Sequence, residues 1–350
     1  MAEWNPAKKA LVCPFCGSVT EVDLKTDPTA IVENDLVAAL QSVPKDQRGW
    51  ATEKKTVRCQ NCNAISVFDA NHVSQRCDFC GSPSLIAIDD VQAPIRPAAL
   101  LPFKVPDSKV RDDIRAWYGS HWFAPNMLKQ RALTDTLKGV YLPYWTFDAK
   151  VAARWRAEAG YEYSVENNNG ERETRVRWES ASGALDHFFD DLLVPASKGV
   201  QANLLRQVEP FPTTQELVAY APSFLSGWVT EQYQIDLQAA STLSRQRMEG
   251  ETRNMCASKI PGDTYRNLEV QANYTGLTYK HVLLPIWLLT YTYGSQSFQV
   301  VVNGYTGRIA GRYPLSWVKI FLVVAAVFLA LVLWMWLRSH GHHSGIQYRH

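Results

Sequence analysis

The stretch CQNCNAISVFDANHVSQRCDFCGS, Cys59 to Ser82, holds two Cys-x-x-Cys knuckles separated by fourteen residues. A structural zinc ion takes four soft or borderline ligands in a tetrahedron, and each paired-cysteine turn supplies two of them. Cys59, Cys62, Cys77 and Cys80 therefore read as one complete zinc ribbon over residues 57–84: knuckle, β-hairpin, knuckle. Gly81 follows the second pair, where a residue without Cβ lets the backbone turn tightly around the metal. A disulfide pair or idle thiols fit two spaced knuckles poorly in a reducing compartment. Zinc in such a site contributes about 10–16 kcal/mol, enough to hold a small segment folded.

A third knuckle, CPFCGS at Cys13 to Ser18, stands alone. WNPAKKALVCPFCGS (Trp4 to Ser18) aligns with FDANHVSQRCDFCGS (Phe68 to Ser82): an aromatic nine positions before the first cysteine, Asn5 against Asp69, and CxFCGS at the end. The N-terminus thus reads as a half-ribbon over residues 4–18 whose first knuckle is missing. Cys13 and Cys16 form a second, incomplete metal site with three outcomes open. The pair is an unmetallated relic, or it joins Cys59 and Cys62 in place of the later pair, or another chain completes it. Cys256 reads as a buried thiol and His72 as a hairpin surface residue, so neither is the expected fourth-ligand source.

The net charge of +2 gives no global reason to expect a nucleic-acid partner. Residues 1–100 carry ten Lys and Arg against twelve Asp and Glu, and four thiolates on Zn²⁺ add about two more negative charges. Nucleic-acid surfaces need clustered cations to displace phosphate counterions, so protein contact is the better expectation for this ribbon.

At the far end, IFLVVAAVFLALVLWMWL, Ile320 to Leu337, is eighteen residues without a charge. At about 1.5 Å per residue it spans about 27 Å, close to a bilayer's hydrocarbon core. Trp317, Trp334 and Trp336 stand at its ends, where amphipathic rings favour the membrane interface, and Lys319 and Arg338 bracket it. The expectation is a single transmembrane helix over 317–338, followed by a short tail, 339–350, whose His340, His342 and His343 read as solvated. MAEWNPAKKALVCPF lacks the apolar run of a secretory signal, and thiolate zinc suits the cytosol. The expected location is therefore the bacterial inner membrane, single-pass, with the bulk of the chain in the cytoplasm.

Between ribbon and span the patterns predict an α+β body. The ribbon region occupies 1–90, a proline-punctuated linker 91–108 and the body 109–315. A helix starts at Ser108 with Val110, Ile114 and Trp117 on one face, and a second runs from about Pro125 to Lys138. Trp145, Phe147, Ala149, Val151, Ala153 and Trp155 alternate with polar residues, a half-buried strand that turns at NNNG (167–170) into another near Arg172 to Trp178. VYLPYW at 140–145 returns as VLLPIW at 282–287, so the body carries two related β-meander units, 140–180 and 282–312. Between them a long polar helix from Thr230 to about Ala257 has a stripe of Tyr233, Leu237, Ala240, Leu243 and Met248.

No G-x-x-x-x-G-K-[ST] loop exists, which excludes that class of NTPase, and no G-x-S-x-G, H-E-x-x-H or G-x-G-x-x-G appears. Asp186, His187, Asp190 and Asp191 (DHFFDD) are the one cluster that would suit a hydrolase. His121 and His281 read as structural. The expectation is a protein that is not an enzyme.

CPFCGS, TVRCQNCNAISVFD, CDFCGSP, APIRP, LLPFKV, GVYLPYWTFDA, PGDTYRNL and VNGYTGRIAGRYP, with a terminal span, resemble a family of bacterial membrane-anchored, TFIIB-type zinc-ribbon proteins. The resemblance covers nearly the whole chain. Members are often labelled primosomal protein N′-like, a helicase label that the missing phosphate loop contradicts here. Relatives lie near SPFH (flotillin-like) and phage-shock-protein-A-like proteins, which implies protein partners of those kinds in an envelope-stress assembly. Many relatives carry two full ribbons, unlike this chain. The expected function is a non-enzymatic adaptor or scaffold that binds Zn²⁺, sits in the lipid bilayer by its C-terminal helix and recruits proteins; self-association is left open. The competing expectation is a membrane-tethered nucleic-acid binder.

Overall fold

The computed structural model describes residues 2–22, 31–42, 47–50, 54–69, 76–88, 94–126, 137–166, 171–294 and 296–340. The architecture is mixed α+β. A three-stranded sheet holds β1 (Glu3–Asn5), β2 (Ala10–Val12) and β3 (Val19–Glu21). Then come β4 (Asn34–Asp35), α1 (Leu36–Gln41), β5 (Lys54–Cys59), β6 (Ile65–Asp69), β7 (Leu85–Ala87), β8 (Ala99–Leu100) and α2 (Asp107–Ser120). Two long strands follow, β9 (Leu137–Glu166) and β10 (Arg172–Pro195), then α3 (Ala202–Val208), β11 (Val218–Ala219), a 3₁₀ turn (Pro222–Leu225) and β12 (Val229–Glu231). The chain continues through α4 (Leu237–Ala257), β13 (Thr264–Tyr293), β14 (Gln296–Asn303), β15 (Ile309–Gly311) and α5 (Trp317–His340).

Everything from β4 to β15 shares one twelve-stranded sheet, whose main path runs β11-β8-β13-β9-β12-β6-β5-β7. The hairpin β5–β6, which carries Cys59, joins the body through β12, where Thr230 pairs with Val67. The stretch 91–108 is more than a linker: Ala99 and Leu100 pair with Val282 and Leu283 in the heart of the sheet. Its prolines lie outside the paired residues, which is where proline is tolerated because it has no N–H for a ladder.

The centre of the sheet is the antiparallel pair β9–β13, in register from Thr264↔Gly160 to Leu289↔Leu137. Leu142 pairs with Leu284, Pro143 with Leu283 and Pro285 with Tyr141, so the two copies of the six-residue motif lie directly against each other about a local two-fold axis. The flanks follow the same axis. β8 runs parallel to β13 at Val282 and Leu283, as β12 does to β9 at Val140 and Tyr141. Pro285 O accepts from Gly304 N at 2.9 Å, and Pro143 O from Ala196 N at 3.0 Å. Each arm thus reads short strand, helix, long strand, return strand: β8-α2-β9-β10 and β12-α4-β13-β14.

Beyond the centre, β9, β10 and β13 extend as a three-stranded blade. Thirty residues of β9 cover about 100 Å of strand path. Alternation decides its faces. Ala149, Val151, Ala153, Trp155 and Ala157 pack on Leu237, Ala240, Met248 and Cys256 of α4, whereas Lys150, Arg154 and Arg156 face outward and are exposed. The small alanines let α4 approach closely. Two other apolar clusters fill the opposite sides of the central sheet, one under the four-cysteine segment and α3, the other under α2.

Several boundaries differ from the patterns. Leu137 and Lys138 open β9 rather than close a helix, and residues 127–136 of that expected helix lie outside the described residues, as do NNNG at 167–170 and His72. α4 starts at Leu237 rather than Thr230, because Thr230 is taken by the sheet and Asp236 caps the helix by accepting from Ala239 N. Its buried face is Leu237, Ala240, Ser244, Met248, Thr252 and Cys256, while Leu243 is exposed. Tyr233 precedes it, and its hydroxyl accepts from Ile95 N. α2 buries Val110, Ile114 and Tyr118. α5 contains a stretch from Trp317 to Arg338 long and apolar enough to cross a membrane, and none of it is buried against the body. Lys319 ties its first turn to the loop after α2.

Candidate metal centre

β5 delivers Cys59, the turn behind it Cys62, and the turn before β7 brings Cys77 and Cys80 alongside. Their four Sγ atoms all lie within 4.8 Å of one another, with Cys59–Cys80 at 3.5 Å and Cys62–Cys77 at 3.6 Å. Four thiolates on a tetrahedral metal at about 2.3 Å would stand about 3.8 Å apart. The donor set therefore fits a metal ion, and among the described residues no other group of three or more His, Cys, Asp or Glu converges this way.

The knuckles have matching backbone form. Cys59 N donates to Ala64 O and Asn63 N to Cys59 O, just as Cys77 N donates to Ser82 O and Gly81 N to Cys77 O. The fifth residue of each turn is left-handed, Asn63 at φ 60° and Gly81 at φ 72°. Asparagine and glycine tolerate that region best. Phe79 N and Asn61 Nδ2 point at Cys77 Sγ and Cys80 Sγ, partial positive charges that stabilise thiolate. The hydrogen bond from Cys62, opposed by burial, holds Cys77 low, at about 5. Its partner Cys62 is pushed far up, first by that same bond and then by burial, and burial raises Cys80. Sulfurs this close cannot all carry charge unless a cation joins them.

The sequence did not disclose how this centre is tied to the body. Phe79 between the second cysteine pair is 0% exposed and plugs into the core. Its carbonyl accepts from Thr290 Oγ1 at 2.7 Å and Gln299 Nε2 at 3.2 Å, and the same Nε2 donates to Gly199 O. A Cβ on Gly199 would stand 2.7 Å from Ala64 Cβ and 2.8 Å from Phe79 Cδ1. Behind it, Glu231 is buried, accepts from Gln234 Nε2 at 2.7 Å and is pushed up to about 8 by burial.

Cys13 and Cys16 lie elsewhere, on the separate hairpin β2–β3; they do not join Cys59 and Cys62. Hydrogen bonds, led by that from the Ser18 hydroxyl, hold the exposed Cys16 thiol low, at about 7. Cys256 is buried within the α4 cluster, far from either pair in the fold. His281 is buried with Nδ1 on Ile95 O at 2.8 Å, and His121 Nδ1 lies 2.6 Å from Trp117 O. The C-terminal histidines 342 and 343 lie outside the described residues, and the side chain of His340 is not described.

The DHFFDD stretch divides. Asp186, His187 and Asp190 are exposed, whereas Asp191 turns inward at φ 52° where β10 bulges between Phe189 and Leu192. β13 bulges at the same level, between Thr275 and Thr278. The room so made holds a buried polar network. Lys280 Nζ reaches Asp191 at 2.8 Å and Glu33 at 3.1 Å, Asp191 N donates to Asp148 Oδ1 at 2.7 Å, and Thr278 Oγ1 donates to Asp148 Oδ2 at 2.7 Å. Burial pushes Asp148 up to about 6. Burial also works against the Lys280 ammonium, but the hydrogen bond and charge of Asp191, helped by Asp148 and Glu33, outweigh it and hold its pKa above the usual lysine value. Lys280 inside the apolar run YKHVLLPIW was the one available signal.

No family model matches the chain, and no solved structure matches it. It is 24% identical over 331 residues, 92% of this chain and 96% of the relative, to the uncharacterized protein YdjG of Bacillus subtilis (strain 168).

Proposed function

We propose that the chain is a zinc-stabilised, membrane-anchored adaptor of the bacterial inner membrane, with its body in the cytoplasm, that recruits protein partners without catalysing a reaction. The observation that carries this reading is that the four-thiol centre and the helix-bearing body share one sheet. The ion then braces a platform rather than a mobile finger. Thiolate donors and closed tetrahedral spacing favour zinc as the ion, with no position for substrate. The uncovered face of the blade, with Lys150, Arg154 and Arg156 beside Glu269 and Gln271, supplies a broad polar surface for a partner. The resemblance to the zinc-ribbon family supports SPFH-like or phage-shock-protein-A-like proteins as those partners.

Two measurements test it. Elemental analysis of detergent-purified protein should find zinc at Cys59, Cys62, Cys77 and Cys80, lost in Cys59→Ser/Cys62→Ser. Crosslinking in intact cells followed by affinity capture through the body should recover an SPFH-like or phage-shock-like protein; metal-free folded protein, or a capture holding neither class, overturns the reading. Tight, steeply salt-dependent binding of DNA or RNA would favour the nucleic-acid reading instead.

A further inference from the structure

The knuckle at Cys13–Ser18 is built like the other two. Cys13 N donates to Ser18 O at 2.9 Å and Gly17 N to Cys13 O at 2.9 Å, against 2.8 Å for both bonds in the Cys77 knuckle. Gly17 has φ 71° where Gly81 has 72°. The pairing of Val12 with Val19 closes the hairpin at its base. The hairpin is anchored: Trp4 is buried and its Nε1 donates to Phe103 O at 2.9 Å. A knuckle that had lost its use would have no need of this backbone form.

What differs is the surroundings. Phe15 stands between the cysteines as Phe79 does in the other knuckle, yet Phe15 is 92% exposed where Phe79 is fully buried. All seven cysteines of the chain are placed, and none besides this pair is within reach: four form the centre above and Cys256 is buried under the blade. Two thiolates leave a tetrahedral ion half-coordinated, no His, Cys, Asp or Glu among the described residues converges on this pair to complete the set, and a second pair of the same kind would do so. A second copy of this chain presents one, identical and equally exposed. A two-fold axis through the ion relates the two knuckles, and such isologous contacts are the commonest way for a soluble surface to self-associate.

We infer that Cys13 and Cys16 of two copies of this chain bind one shared thiophilic divalent ion, Zn²⁺ by its chemistry, and that the two Phe15 rings pack over it to close a homodimer. Binding releases the thiol protons and forms four metal–sulfur bonds, with no change of oxidation state. The inference needs the Cys59–Cys80 centre only for counting, and the count separates the two.

The test is zinc per chain and mass of the full-length protein in detergent, with the detergent's contribution removed. Wild type should hold 1.5 ions per chain as a dimer, and Cys13→Ser/Cys16→Ser should hold 1.0, a loss of half an ion. A wild-type value of 0.5 falling to zero would mean that the sheet centre is empty while the shared site stands. Phe15→Ser keeps all ligands and should weaken the dimer roughly tenfold through lost apolar burial. A wild-type monomer, a drop of a whole ion per chain, or no drop at all in the double variant overturns the inference.

Discussion

Leu142 and Leu284 face each other across β9 and β13, and each is the third residue of the same motif, VYLPYW and VLLPIW. A repeated motif does not require its copies to touch; here the copies form each other's hydrogen-bond partner. The symmetry reaches the side chains. Trp145 Nε1 donates to Ile235 O at 2.8 Å and Trp287 Nε1 to Val105 O at 2.9 Å, so each indole bonds the carbonyl just before the helix of the other arm.

These two indoles should therefore respond alike. Trp145→Phe and Trp287→Phe each leave a carbonyl without its donor, partly buried at Ile235 and buried at Val105, a loss of about 1–3 kcal/mol. Denaturant unfolding of the detergent-solubilised chain should place the two losses within about 1 kcal/mol of each other. A loss confined to one of them would mean that the two arms do not share their hydrogen-bonding logic.

Gly199 is where the four-cysteine segment meets the body. Gly199→Val would drive methyl groups into Ala64 and Phe79, neither of which has room to retreat. The expected result is faster loss of bound metal to a chelator and a lower melting temperature, with Gly119→Ala in α2 as a comparison, since no atom lies within 4 Å of a Cβ there and its backbone is helical.

Lys280 holds Asp191 and Glu33 in place. Lys280→Met leaves the 1%-exposed Asp191 carboxylate without its cation and should cost about 3–5 kcal/mol. Asp148 gives a pH signature. Its folded pKa, pushed up to about 6 by burial, lies above its ordinary value of 3.8, so between those values the folded chain keeps a proton that the unfolded chain loses. Its contribution to stability therefore falls as pH rises through that window. Asp148→Asn should remove this fall, seen as a flatter difference curve in melts from pH 4 to 6.5.

Lys319 fastens the terminal helix to the body. Its ammonium donates to Trp122 O, Ala124 O and Asn126 Oδ1, each at 2.8 Å. Lys319→Ala should leave the protein in the membrane fraction while amide exchange in residues 121–126 rises. Release into the soluble fraction would mean that the apolar helix does not by itself hold the protein in a membrane.

The sequence by itself determined the four-cysteine centre, the apolar terminal helix and the alternating strands, because ligand spacing and hydrophobic period are local properties carried in consecutive residues. It also exposed the repeated motif. Only the tertiary structure decided that the copies pair, that residues 99–100 are sheet, that Thr230 belongs to a strand, and that Asp191 leaves its neighbours to meet Lys280. Each of these depends on a partner tens to hundreds of residues away. A strand edge or a buried charge is settled by what lies across from it, and periodicity along the chain holds no record of that.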